Sequence, residues 1–208
     1  MDPKKAPISS STQDFVEISD IINDILITKT GVFCLIIQTN SVNFDLLSEE
    51  EQQMKINAFG GLMNSLDFQM QIVIHTQKIN ISKYNEFLQT LDVPNLTPGL
   101  KRQFAIYKRF IKNLVTDKEI LDKKFFIIIP YRTSTIFNQS TTQRQRRIMM
   151  EQAINYLYPK RNHVLRMLHS MGLEGWQLTN KDIIKHFYKI YNPKEEINIE
   201  GFKKEFIE

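Results

Sequence analysis

The chain has 208 residues, of which 42% are hydrophobic and 24% charged, a globular balance with length for one sizeable domain. Its single cysteine, Cys34, excludes an intrachain disulfide framework and a cysteine zinc site. The net charge of +4 is unevenly placed: residues 101–170 hold 15 Lys/Arg against 4 Asp/Glu, and the rest hold 12 against 19, so the middle of the chain favours an acidic partner.

Residues 1–12 are rich in Pro, Ser and Lys and read as a flexible N-terminus. No apolar run follows Lys4-Lys5, as a secretory signal would require, and no apolar run approaches the roughly 20 residues needed to span a bilayer. Phe15–Ile18 is expected to form a short edge strand. Ile25–Ile27 and Val32–Ile37 are apolar and β-branched, and Thr28-Lys-Thr-Gly31 between them has turn chemistry, with Gly31 able to take a positive φ. Both alternating sets of the second strand, Val32/Cys34/Ile36 and Phe33/Leu35/Ile37, are apolar, which predicts a central strand covered on both faces.

Ser48-Glu-Glu-Glu51 is a capping box that opens a helix to about Leu66. Gly60-Gly61 lowers helix propensity there, and close approach of another backbone, rather than a hinge, is the expected reason. Met70–Gln77 predicts a strand, residues 83–91 a short helix and residues 92–96 a loop. Thr97-Pro98 begins a helix to about Val115 by N-cap and N1 chemistry. Its Leu100, Phe104, Tyr107, Ile111 and Leu114 recur at helical spacing, with Lys101, Lys108, Arg109 and Lys112 mostly off that stripe.

Lys124–Pro130 is aromatic and β-branched, a strand bounded by Pro130, with a polar loop over 131–140. A helix starts near Thr141 and is interrupted at Pro159; the second piece carries Val164, Leu165, Leu168 and Met171 and ends at Gly172. Leu173–Leu178 is a short strand. Thr179–Asp182 opens a last helix that Asn192-Pro193 stops, and 194–208 is a charged tail. This order of elements predicts an α+β fold in which a mostly antiparallel sheet, built on a hairpin-helix-strand core, packs with helices. Residues 13–193 form one domain.

Residue sets that carry chemistry are sparse. None of the seven glycines leads into Lys-Ser or Lys-Thr as a phosphate-binding loop does, and there is no G-x-G-x-x-G or G-x-S-x-G. His163 and His169, six apart, do not share a helix face as a metal pair would, and Cys34 lies in an apolar strand that should leave its thiol inert. Glu49, Glu50 and Glu51 form a solvated capping cluster, not a general acid and base. No catalytic residue, cofactor or metal site is therefore assigned. The candidate contact set for an acidic partner or nucleic acid is Arg144, Arg146, Arg147, Lys160, Arg161 and Arg166, with Tyr131 or Tyr156 available to stack on bases. Against it stands the simpler reading of a solvated helix face.

The run Ile21–Gln38 resembles the opening hairpin of the TraC-like domain, the N-terminal domain of the ATPases of conjugative transfer and type IV secretion. Ser41–Phe44, Leu47–Gln52, Leu62–Phe68 and Gln71–Ile74 follow in the family's manner. Phe125–Tyr131 is similar to its later strand, and Met171–Leu173, Leu178 and Tyr191–Pro193 to its closing helix and stop. The likeness covers about residues 13 to 193. Long members carry a C-terminal motor with a phosphate-binding loop; this chain resembles the stand-alone N-terminal domain, so ATP hydrolysis is not carried over. The resemblance implies a non-catalytic docking component, cytoplasmic or peripheral at the inner membrane. Its expected partners are a motor ATPase, a membrane channel subunit or a second copy of itself. The alternative is a nucleic-acid-binding module acting on DNA through residues 101–170.

Overall fold

The computed structural model describes residues 15–78, 88, 97–117, 121–133 and 142–192. Among them are a six-stranded antiparallel sheet and four helices, an α+β fold. The strands are β1 (Ile18–Ile22), β2 (Ile25–Thr28), β3 (Val32–Thr39), β4 (Gln71–Lys78), β5 (Leu121–Arg132) and β6 (Gly175–Gln177). The helices are α1 (Glu49–Ser65), α2 (Pro98–Asp117), α3 (Gln143–Ser170) and α4 (Asn180–Tyr191). Two compact units are distinguished, one spanning Ile74–Lys124 and the other formed by the segments on either side of it.

Strand order is β1-β2-β3-β5-β4, with β6 also on β3. All eight residues of β3 pair with β5, from Val32 opposite Arg132 to Thr39 opposite Phe125. The other edge of β3 is shared end to end: β2 pairs at Phe33 and Cys34, and β6 at Ile37 to Thr39. β3 is therefore the central strand, and its apolar run Val32–Ile37 follows from burial on both faces. On one face Phe33, Leu35, Ile37 and Ile129 pack against Ala153, Leu157, Val164 and Leu168 of α3 and Leu62 of α1. On the other, Leu26, Ile36 and Phe126 pack with Leu178, just before α4, and Ile183 within it. Each such side chain taken fully from water contributes about 1.5–3 kcal/mol.

Local chemistry accounts for the element ends. Gly31 takes φ 79° in the β2–β3 turn, and its N–H donates to Thr28 O at 2.9 Å. Ser48, Thr142 and Thr179 each close a capping box, with Glu51, Gln145 and Asp182 respectively. α3 ends in a Schellman motif: Gly172, at φ 69°, donates to His169 O, and Leu173 donates to Leu168 O, both at 2.9 Å.

Several expectations need correction. The first strand is Ile18–Ile22 rather than Phe15–Ile18, because Asn23 and Asp24, with φ of 52° and 61°, form a tight two-residue turn into β2. β5 does not stop at Pro130; Tyr131 and Arg132 continue its pairing, opposite Phe33 and Val32. Proline costs the ladder one donor while its restricted φ remains compatible with extended chain. α3 is one 28-residue helix running through Pro159, not two pieces. Pro159 is exposed, so water can take the carbonyl its ring leaves unpaired. Among the described residues no other backbone approaches Gly60-Gly61: a Cβ at Gly60 would meet nothing within 4 Å, and one at Gly61 only Met167 Cε at 3.8 Å. Gly60→Ala is accordingly expected to stabilise the protein by about 0.5–1 kcal/mol in urea denaturation; a loss of stability would contradict the open surroundings of this position.

The helix forecast for 83–91, the loop at 92–96, most of the loop at 131–140 and both chain ends lie outside the described residues.

Candidate functional site

The six basic candidates all lie on α3, but not as one cluster. Arg144 and Arg147 are exposed in its first turns, and Arg147 Nε reaches Glu151 Oε1 at 3.4 Å, an exposed pair worth at most about 0.5 kcal/mol. Arg166 is also exposed, but 19 residues beyond Arg147, about 30 Å along the helix axis. Arg146 is half-buried. Lys160 Nζ lies 4.1 Å from the ring centroid of Tyr156 and 5.1 Å from that of Phe68. Tyr131 and Tyr156, the expected base-stacking platforms, pack on each other with centroids 4.6 Å apart, and Tyr131 lies 6.4 Å from Phe33.

Arg161 belongs to a polar network that joins three distant parts of the chain. Its Nη1 donates to Gln177 Oε1 at 2.7 Å while its guanidinium covers Tyr158 at 4.2 Å. Gln177 Nε2 donates to Asp24 O at 3.0 Å. Asp24 N–H donates to Asn180 Oδ1 at 2.7 Å, and Asn180 N–H returns a bond to Asp24 Oδ1 at 2.6 Å. The β1–β2 turn, β6, the first residue of α4 and the middle of α3 are thereby fastened together. Arg161 thus links α3 to β6 through a neutral partner.

Ser65 and His163, 98 residues apart, make a nucleophile-and-base-like contact that local spacing could not reveal: Ser65 Oγ lies 2.8 Å from His163 Nε2. Ser65 Oγ also donates to Leu62 O at 2.8 Å. A hydroxyl has one proton, so with that proton on Leu62 O the contact requires His163 Nε2 to donate. With the proton turned to Nε2 instead, the imidazole accepts; in either arrangement the pair ties α1 to α3. Burial pushes the Cys34 thiol from 9.0 up to about 11, which suppresses the reactive thiolate. The Ser48 backbone N–H, at 2.9 Å, and then its hydroxyl, at 3.0 Å, hold the Glu51 carboxyl below its ordinary value. Among the described residues no three His, Cys, Asp or Glu side chains gather as metal ligands, and no helix is long and apolar enough to cross a membrane.

An apolar surface lies between α1 and the end of α3. Val42, Phe44, Ile56, Phe59, Met171 and Leu173 line an open apolar groove of about 300 Å3. Ile56, 51% exposed, forms part of it, and the adjoining segments leave Leu46 at 81% and Met54 at 63%. The groove's one cationic group is already engaged: Lys55 Nζ donates to Met171 O at 2.6 Å, satisfying a terminal carbonyl where the helix dipole is negative. What remains among the described lining residues is a surface for apolar side chains. The scattered sequence positions 42–59 and 171–173 explain why spacing alone did not reveal it.

Comparison with known proteins gives no match to a protein-family model and none to a curated protein. The TraC-like resemblance therefore rests on the segments quoted above.

Proposed function

We propose that this protein is a non-catalytic docking component of a conjugation or type IV secretion apparatus, acting at the cytoplasmic side. The observation that carries the docking role is the groove of Val42, Phe44, Ile56 and Phe59 with Met171 and Leu173, a contiguous apolar surface of the kind that marks interaction sites. The apparatus comes from the TraC-like resemblance. A motor ATPase or a membrane channel subunit is the partner that fits both, presenting apolar side chains to the groove.

Purified chain should capture such a subunit from the same secretion system. Ile56→Asp and Phe59→Asp, at exposed positions that leave the core untouched, should each weaken capture at least tenfold, as expected for side chains central to an interface. Undiminished capture by both variants would remove the groove from the proposal, and ATP turnover by the purified chain would overturn the non-catalytic role. The nucleic-acid alternative draws chiefly on exposed Arg144, Arg147 and Arg166, since Lys160 covers aromatic rings and Arg161 is hydrogen-bonded within the fold. It would be favoured by salt-sensitive DNA binding lost in the triple alanine variant at those arginines.

A further inference from the structure

We infer that α2 is an interfacial helix that lays its apolar face on an anionic lipid surface. At 100° per residue, Leu100, Phe104, Tyr107 and Ile111 form one stripe of this helix, and Ile106 and Phe110 widen it on one flank. Lys101, Arg102, Lys108 and Arg109 occupy the opposite arc, in two pairs seven residues apart, and no acidic residue lies between Pro98 and Ile111. The sequence pattern is that of a helix with a buried face, but the face is open: Ile106 is 60% exposed and Phe110 58%, Leu100 and Tyr107 are exposed, and Phe104 and Ile111 are only half-buried.

Both halves of the pattern point to one occupant. A wide apolar arc with large side chains, backed by a basic arc, is the build of a helix lying in the headgroup region, where apolar side chains enter the acyl boundary and cations meet lipid phosphates. A nucleic acid would use the charge and leave Ile106 and Phe110 in water. An uncharged apolar partner would leave the basic arc without a counterpart. Lys108 Nζ lies 4.6 Å from the Phe104 ring centroid, a cation–π contact where the basic and apolar arcs meet. The helix is too polar to span a bilayer, so attachment would be reversible and dependent on anionic lipid.

Flotation of the full chain with vesicles of phosphatidylcholine, with and without 30% phosphatidylglycerol, tests this. Binding is expected only with the anionic lipid and should weaken as salt rises. Each of the four basic residues removed should cost about fivefold, the equivalent of about 1 kcal/mol per cation at the surface. Ile106→Glu with Phe110→Glu should abolish binding while circular dichroism stays unchanged. Absence of binding, equal binding to neutral vesicles, or binding retained by the double glutamate variant would overturn the inference, as would basic residues that matter only for DNA. The inference does not rest on the groove. Phe59→Asp should still float with vesicles, and the α2 variant should still capture a protein partner, so either can fail alone.

Discussion

Gly175→Val is expected to destabilise the protein by about 1–3 kcal/mol, and its loss is expected not to add in full to that of Leu168→Ala in the same chain. A Cβ at Gly175 would stand 2.8 Å from Leu168 Cδ1 and 3.0 Å from Leu165 Cδ2, with Ile37 Cγ2 at 3.5 Å. The backbone has little freedom to retreat. Gly175 pairs with Thr39, and the preceding Glu174 accepts from Asn40 N–H at 3.1 Å and from Thr39 Oγ1 at 3.0 Å. Glu174 N–H also donates to Asn40 Oδ1 at 2.9 Å. The strain must therefore fall on Leu168 and Leu165, and Leu168 is itself buried in the core. Leu168→Ala alone should cost about 2–5 kcal/mol by opening a cavity. In the double variant the valine occupies that cavity, so the combined loss should fall short of the sum by more than about 0.5 kcal/mol, the ordinary tolerance for independent sites. Urea denaturation of the four proteins in the cycle measures this, and additive losses would show that α3 and β6 are not packed in this way.

The second large effect is expected at Asn180. Asn180→Ala removes the acceptor of the Asp24 N–H, leaving a partly buried donor without its partner; such groups cost about 1–3 kcal/mol. The reciprocal bond from Asn180 N–H to Asp24 Oδ1 loses its orientation with it. Because Asp24 sits at φ 61°, Asp24→Ala should be worse than Asp24→Gly by about 1 kcal/mol, as only glycine takes that conformation freely. Amide hydrogen exchange should speed up first in β1 and β2, whose turn the bond holds. Asn180→Ala within about 0.5 kcal/mol of the parent, with unchanged exchange in Ile18–Thr28, would mean the network does not secure the hairpin.

Sequence legibility followed the range of the interactions. β3 and most of β5 could be read because burial on both faces leaves an unbroken apolar run. The helix starts could be read because their signals are local: the Ser48–Glu51 capping box spans four consecutive residues, and Thr97-Pro98 opens α2. β1 was misplaced because Asp20 breaks its apolar alternation and its turn is made by Asn23-Asp24 rather than by glycine. Pro130 and Pro159 read as stops in the sequence, whereas a strand and an exposed helix position each absorb the missing N–H. The stripe on α2 was legible as periodicity, but periodicity fixes which side chains share a face and not what covers them. The candidate basic set was legible as composition only: Arg161 was drawn into the fold by Gln177, Lys160 by aromatic rings, and Arg166 was carried about 30 Å from Arg147 by helical rise. The groove joins segments more than 100 residues apart and leaves no local signal.

A photo-crosslinking amino acid placed at Phe59 in cells that carry the complete secretion system tests the docking role most directly. The expected result is an adduct, identified by mass spectrometry, with a motor ATPase or channel subunit of that system, and its loss when Ile56→Asp is added. No adduct with any component of the apparatus, or one that persists undiminished with Ile56→Asp, would contradict docking through the groove.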